Sequence, residues 1–471
     1  MNNLSSGDTI VAPASVPGTG AISIVRVSGP DCFRLVDAVV QLSSGTVSDC
    51  EGYTIHYGEV PGLDDVLVSV FRAPHSYTGE DSVEVSCHAS RYIAEELVRR
   101  LLEAGCRMAG PGEFTRRAFL NGKMDLAQAE AVADLISSTT AAAHRVAYNQ
   151  LRGGFSTELS LLRGELVEMT SLLELELDFS EEEVEFADRS RLLALIDRTR
   201  DHVVRLADSF KFGNAIRTGV PVAIVGATNV GKSTLLNALV GEDRALVSDI
   251  AGTTRDTVEE VINLDGIPFR FIDTAGIRET AEMVEQMGIE RTFRKISEAE
   301  IVLGMLDSTA QDSTIKFNLE LIVSKVDFGT QKLILCLNKV DLVKEMDVNK
   351  IVSTINDFVI SLDKEVIIVK MAAKQGLGLS ELRSTLSSLE SHLIPNADTT
   401  FVTNIRHYES LRQTADSLTD ARFALTTGTP SDLVAEDLRR AISSLNQILG
   451  TDLIDPESVL QRIFKNHCIG K

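Results

Sequence analysis

At 471 residues the chain is too long for one hydrophobic core, and a prior of about 150 residues per domain predicts about three domains. Its hydrophobic content of 44% and charged content of 24% are those of folded globular protein and exclude long-range disorder. A net charge of -22 argues against a large nucleic-acid-gripping surface on this chain alone, because phosphate binding rests on clustered Lys and Arg; an RNA role needs a local basic patch or a basic partner.

The cysteines Cys32, Cys50, Cys87, Cys106, Cys336 and Cys468 are scattered without a CxxC pair, which fits neither a zinc site nor a disulfide framework and points to the cytoplasm. No apolar run reaches the roughly 18 residues of a membrane span, and the first residues lack the basic and apolar regions of a signal peptide. The expectation is a soluble, unprocessed, cytoplasmic protein with no membrane partner.

In chain order, residues 1–122 mix short β-like runs (22–27, 53–60, 66–71) with a helix-like stretch at 91–103, between Gly and Pro punctuation; this predicts an α+β domain. Helical patterning fills residues 123–219. Leu159, Leu162, Leu166, Met169 and Leu173 recur at spacings of three and four and so share one helix face. The acidic run Asp178, Glu181, Glu182, Glu183, Glu185 and Asp188 reads as a solvated link between helices.

Residues 220–395 alternate β-like runs (222–225, 269–272, 301–306, 333–337, 366–369) with helical patterns, the signature of a parallel sheet with crossover helices. Helical patterning returns at 396–471, with Val434, Leu438, Ala441, Leu445 and Ile448 at heptad-like spacing. Thr429-Pro430 is expected to cap and open that helix and Gly450 to end it. Pairing the two apolar stripes would bury both, making the α/β domain an insertion in a helical one.

The run 222–225 leads into Gly226-Ala227-Thr228-Asn229-Val230-Gly231-Lys232-Ser233, a GxxxxGK[ST] loop between a strand and a helix. Backbone N–H groups of Asn229 to Thr234 can face phosphates, Lys232 can reach the β and γ oxygens, and the Ser233 hydroxyl can ligate magnesium. Asp273-Thr274-Ala275-Gly276 ends the next strand, where a magnesium carboxylate and a γ-phosphate-sensing glycine are needed. Asn338-Lys339-Val340-Asp341 ends the strand 333–337. A carboxylate at Asp341 accepts both Watson–Crick-edge donors of guanine, whereas adenine offers no matching pair, so GTP is expected over ATP. Ala372-Ala373-Lys374 occupies the place of the SAK loop of GTPases, with the Ala373 amide expected at the guanine oxygen. Ser248, Asp249, Ile250, Ala251, Gly252, Thr253 and Thr254 stand in switch I position, with Thr254 the candidate to complete the magnesium shell. After Gly276 comes Ile277, which cannot orient water as a glutamine does; Arg278, Glu279, Glu282 and Glu285 remain as switch II candidates.

These motifs, with Asp8 to Ala12 and Pro17-Gly18, with 111–123 (PGEFTRRAFLNGK), Asp125, Ala129-Glu130, and with the terminal Cys468-Ile469-Gly470-Lys471, resemble the tRNA-modification GTPase MnmE (TrmE) family over essentially the whole chain. The resemblance implies a multidomain α/β plus all-α fold: an N-terminal tetrahydrofolate-binding-like dimerisation domain, a helical bundle domain, and an inserted P-loop Ras-like G domain. It implies Arg26, Glu84, Lys123 and Lys471 as contacts to 5-formyl- or methylene-tetrahydrofolate. It implies potassium-stimulated GTP hydrolysis with ligands at Asn229, Ser248, Ile250 and Thr253, the cation supplying charge that an arginine finger supplies elsewhere. The family's water-orienting glutamate matches Glu285. It further implies a homodimer working in a heterotetramer with an FAD-dependent MnmG-type flavoprotein on C5 of the tRNA wobble uridine at position 34, adding an aminomethyl or carboxymethylaminomethyl group. The chain departs from the family pattern at Ala372, usually serine, and at Ala227-Thr228, often arginine-proline. Two other readings share these motifs: a regulatory ribosome-assembly switch of the Era type, and a folate-dependent transferase in which GTP only regulates.

Overall fold

The computed structural model describes residues 7–178, 189–244, 260–272, 297–361, 364–390, 400–451 and 470. The chain divides into two compact units, one of residues 1–137, 147–204 and 409–471, the other of 138–146 and 205–408.

In the first unit, seven strands form a sheet in the order β3-β4-β5-β6-β2-β1-β7, from β1 (Ile10–Pro13), β2 (Ile22–Ser28), β3 (Gln41–Leu42), β4 (Thr54–Val60), β5 (Asp64–Phe71), β6 (Ser82–His88) and β7 (Arg107–Met108). All pairs are antiparallel except β1 with β7. Alternating valines, among them Val25, Val27, Val66, Val68, Val83 and Val85, face one side and bury against Leu97, Val98 and Leu101 of the helix Arg91–Ala104. The expected runs cover β2, β4 and β5; β1, β3, β6 and β7 lie outside the strand expectation for this region.

The same unit holds the long helices. The stripe Leu159, Leu162, Leu166, Met169 and Leu173 of the helix Gly154–Asp178 is buried, as is the stripe Val434, Leu438, Ala441, Leu445 and Ile448 of the helix Ser431–Leu449, and the two helices lie side by side. Arg163 Nε donates to Asn446 Oδ1 at 2.6 Å across their seam. Pro430 is the cap residue, in extended conformation, rather than the first helical residue, and Gly450 ends the helix at φ 79°.

In the second unit, six strands run in the order β13-β12-β11-β8-β10-β9, from β8 (Val220–Gly226), β9 (Glu260–Leu264), β10 (Ile267–Phe271), β11 (Ile301–Asp307), β12 (Lys332–Asn338) and β13 (Val366–Lys370). Five are mutually parallel; β9, against the expectation of an all-parallel sheet, runs antiparallel to β10. The reason is a two-residue hairpin at Asp265-Gly266, both at positive φ (52° and 89°), an Asp-Gly turn that matches strand twist. Along β8, Val222 and Ile224 face a core shared with Leu235, Leu239, Leu382 and Leu386, while Ala223 and Val225 face one shared with Ile315, Leu319, Ile351 and Ile355. Burial on both faces makes this a three-layer α/β unit.

Among the described residues, no helix is long and apolar enough to cross a membrane. Cys32, Cys50, Cys87, Cys106 and Cys336 are buried free thiols.

Candidate nucleotide site

The parallel strands end on one edge of the second unit, and the loops leaving them form the candidate site. β8 ends at Gly226 and the helix Lys232–Arg244 begins after Gly231. Both glycines are sterically required. Gly226 has φ 150°, and a Cβ there would stand 2.5 Å from the Met305 carbonyl oxygen; Gly231 has φ 105°, with its Cβ 2.4 Å from Asn338 Nδ2. Asn229 takes the left-handed conformation at φ 61°, which Asn tolerates better than most residues. Val230 is buried beneath the loop. The Lys232 ammonium donates to the carbonyls of Gly226 (2.9 Å) and Ala227 (2.8 Å), so its stem is strung across the loop. Ser233 and Thr234 lie in the first helical turn, where unpaired N–H groups and the helix dipole favour an anion.

β12 delivers the second loop. Asn338, 3% exposed, donates from Nδ2 to the Val230 carbonyl at 2.7 Å and accepts at Oδ1 from the Ala373 N–H at 3.0 Å. One side chain thereby fastens the phosphate loop, the Asn338–Asp341 loop and the Ala372–Lys374 turn together. The Ala373 amide, expected at a guanine oxygen, donates here to Asn338 Oδ1, a buried acceptor that needs a donor. Lys339 is left-handed at φ 64°, and its Nζ lies 2.6 Å from Asp307 Oδ2 at the end of β11. Burial pushes the Asp307 carboxyl up, but donation by Lys339 and Thr309 outweighs this and lowers its pKa. Asp341 sits exposed on the turn Val340–Leu342, with one oxygen accepting from Gln375 Nε2 at 2.7 Å. Sequence reasoning left out Asp307 and Gln375. Neither belongs to a contiguous motif, and only the strand register brings Asp307 opposite Asn338.

Ser248, Asp249, Ile250, Ala251, Gly252, Thr253, Thr254, Asp273, Thr274, Ala275, Gly276, Arg278, Glu279, Glu282, Glu285, Cys468 and Lys471 lie outside the described residues. Among the described residues, no cluster of three His, Cys, Asp or Glu could hold a metal ion. The donors present are a hydroxyl at Ser233 and a side-chain amide at Asn229. Such oxygen donors suit a magnesium or potassium ion that takes its other ligands from phosphates.

In the first unit, Arg26 on β2 and Glu84 on β6 are register partners. Arg26 Nε donates to Glu84 Oε1 at 2.8 Å, and Nη1 reaches the Gly470 carbonyl at 3.2 Å. The guanidinium lies over the rings of Tyr77 (5.4 Å) and Phe114 (5.6 Å). Gly470 has φ 100°, and a Cβ there would meet the Pro13 carbonyl oxygen at 2.1 Å, so this glycine lies tight against β1. Lys123 Nζ donates to the Pro74 carbonyl at 2.9 Å. Beside this site, Arg117 and Arg107 bridge Asp8 (2.6 and 2.5 Å) and Glu113 (3.2 and 2.5 Å). Burial raises the carboxyls of Asp8 and Glu113, but hydrogen bonds from these arginines prevail and lower both pKa values. The Asp8 stretch and the 111–123 stretch, far apart in sequence, are thus one charge network.

Comparison with known proteins fits this geometry. Residues 9–123 match the family described as "GTP-binding protein TrmE N-terminus", and residues 126–468 match "MnmE helical domain". The tRNA modification GTPase MnmE of Bacteroides fragilis (strain YCH46) is 48% identical over 98% of this chain and 99% of its own length. That of Bacteroides thetaiotaomicron is also 48% identical over the same shares. Among solved structures, Aquifex aeolicus Era is similar at 26% identity over 42% of this chain and 65% of that one, with a TM-score of 0.27. With two family domains matched in order and relatives near half identical from end to end, the chain belongs to the MnmE family of tRNA modification GTPases.

Proposed function

We propose that this chain is a GTP hydrolase of tRNA modification, and that it acts with an FAD-dependent MnmG-type partner on C5 of the wobble uridine at position 34. The observation that carries the nucleotide reading is the Asn338 bridge. It holds the phosphate loop and the base-reading loop at a fixed separation, so that a nucleotide meets both at once without ordering them first.

In this reading Asp341 selects guanine, Lys232 and the amides of Asn229 to Thr234 hold the phosphates, and Ser233 with Thr254 holds magnesium. Magnesium held there would supply charge neutralisation at the phosphates, and Asn229, Ser248, Ile250 and Thr253 would hold potassium, which would add positive charge where the transition state spreads negative charge. Glu285 orients the attacking water, and Thr253 takes part in catalysis through the potassium site. The Arg26–Glu84 pair, with Lys123 and Lys471, takes a folate as one-carbon donor; the exposed ring of Tyr77 beside Arg26 supports this, since a pterin is flat and apolar on its faces. Homodimerisation through residues 1–122 is supported by Ile55, Tyr57 and Leu67, which stand exposed on β4 and β5. The helical domain of 123–219 and 396–471 carries the G domain of 220–395, and the net charge of -22 leaves most tRNA contacts to the partner.

The test is GTP turnover in potassium against sodium at equal ionic strength. Several-fold faster turnover in potassium supports the cation site at Asn229; equal rates remove the cation mechanism while leaving GTP hydrolysis in place.

A further inference from the structure

A nucleotide that touches both the phosphate loop and Asp341 must cross the end of β11. The strand order puts β11 between β8, which carries the phosphate loop, and β12, which carries Asn338 to Asp341. The three are parallel, with Met305 opposite Gly226 and Asp307 opposite Asn338. Two strand spacings, about 10 Å, separate β8 from β12, and the Lys339–Asp307 pair stands in that span. Lys339 leaves the β12 loop in the left-handed conformation, and its ammonium ends on Asp307 Oδ2 at 2.6 Å. Its methylenes therefore run from β12 toward β11, in the direction of the phosphate loop. The two side chains are 30% and 24% exposed, which leaves one side of the pair open to a ligand. Asp307 is itself fixed: Oδ1 accepts from the Thr309 N–H at 2.9 Å and from its hydroxyl at 2.6 Å, so Oδ2 is presented to the ammonium. Between them, the Ser308 N–H donates to the Asn338 carbonyl at 3.0 Å and holds the end of β11 against the β12 loop.

We propose that Asp307, oriented by Thr309, is a positioning residue for nucleotide binding: it stretches the Lys339 stem into an apolar platform for one face of the nucleoside. A lysine stem covers apolar surface while its charged head finds a partner elsewhere, and here the partner is built into the neighbouring strand. Anchored in this way, the side chain has given up most of its rotamer freedom before the ligand arrives. Without the anchor it extends into water and must be ordered during binding, which weakens the complex. The inference rests on the reading of Asn338 to Asp341 as the base-recognition loop, and the experiment separates the two.

GDP is titrated by calorimetry into the nucleotide-free full chain for wild type, Asp307→Asn, Thr309→Val, Lys339→Met, and each of the first two combined with Lys339→Met. Asparagine keeps an acceptor for Thr309 but not the charge, and methionine keeps a long apolar stem that needs no anion. With Lys339 present, Asp307→Asn is expected to weaken GDP binding about two- to tenfold, the cost of ordering one long side chain on binding. Thr309→Val, an exposed substitution, should weaken it by a smaller factor. With methionine at 339, neither change should weaken binding further. A merely structural role for Asp307 predicts the same loss in both backgrounds, and that result, or no loss in either, overturns the positioning role. GDP and ADP are also compared in wild type and Asp341→Ala. If Asp341→Ala keeps the wild-type preference for GDP, the base assignment fails and the platform with it; if that preference is lost but the two backgrounds respond alike, only the platform is removed. Far-ultraviolet circular dichroism confirms that each variant is folded.

Discussion

Asn338→Ala tests whether one buried side chain holds the nucleotide site together. The substitution removes a donor to the Val230 carbonyl and an acceptor for the Ala373 N–H, both in buried surroundings. Each orphaned buried group costs about 1–3 kcal/mol, so about 2–6 kcal/mol is lost together. For a unit of this size, at about 2–4 °C per kcal/mol, that corresponds to a fall of about 4–24 °C in its thermal midpoint. Asn338→Asp is the sharper comparison: it keeps the acceptor facing Ala373 and replaces the donor facing Val230 with an anion set against a carbonyl, so it should lose at least as much. The chain has no tryptophan, so unfolding is followed by circular dichroism. With two units present, the relevant transition is the one that added GDP shifts upward. GDP affinity should fall at least tenfold in both variants, because the loops must then be ordered on binding. A midpoint within a degree of wild type in Asn338→Ala, together with unchanged GDP affinity, would refute the reasoning.

Glu285→Ala is expected to keep GTP affinity while slowing single-turnover hydrolysis at least about a hundredfold; unchanged turnover removes Glu285 from the mechanism. Arg26→Ala should abolish binding of 5-formyltetrahydrofolate by the full chain while leaving GDP binding as in wild type, read by calorimetry; retained folate affinity would remove Arg26 from that site. Acid should loosen the first unit. Asp8 and Glu113 have folded-state pKa values below their unfolded ones, so their stabilisation is full above about pH 5 and is lost as pH falls through the folded values. Glu113→Gln should lower stability at pH 7 and flatten this acid dependence in urea titrations from pH 6 to 3; a curve parallel to wild type would show that Glu113 contributes none of it.

Much of this protein is legible in its sequence because the governing interactions are local. A phosphate loop needs glycines at positive φ within a few residues of a lysine and a hydroxyl, and Gly226 to Ser233 spell that out in order. Apolar residues spaced three and four apart must share a helix face, so the stripes from Leu159 and from Val434 are visible before their burial is known. The Asp265-Gly266 hairpin was also written locally, and the antiparallel β9 follows from it. Other features required the folded chain, because they depend on which strand ends meet. Asn338 becomes a tie only when β12 lies beside β11 and brings it over Gly231. Asp307 meets Lys339 through strand register. Arg26 pairs with Glu84 across two strands, and Asp8 joins Arg107, Glu113 and Arg117 from a distance of about a hundred residues. Gln375 finds Asp341 because two loops leave neighbouring parallel strands on the same edge of the sheet. Spacing and periodicity are properties of one segment; a contact between segments is decided by the packing of everything between them.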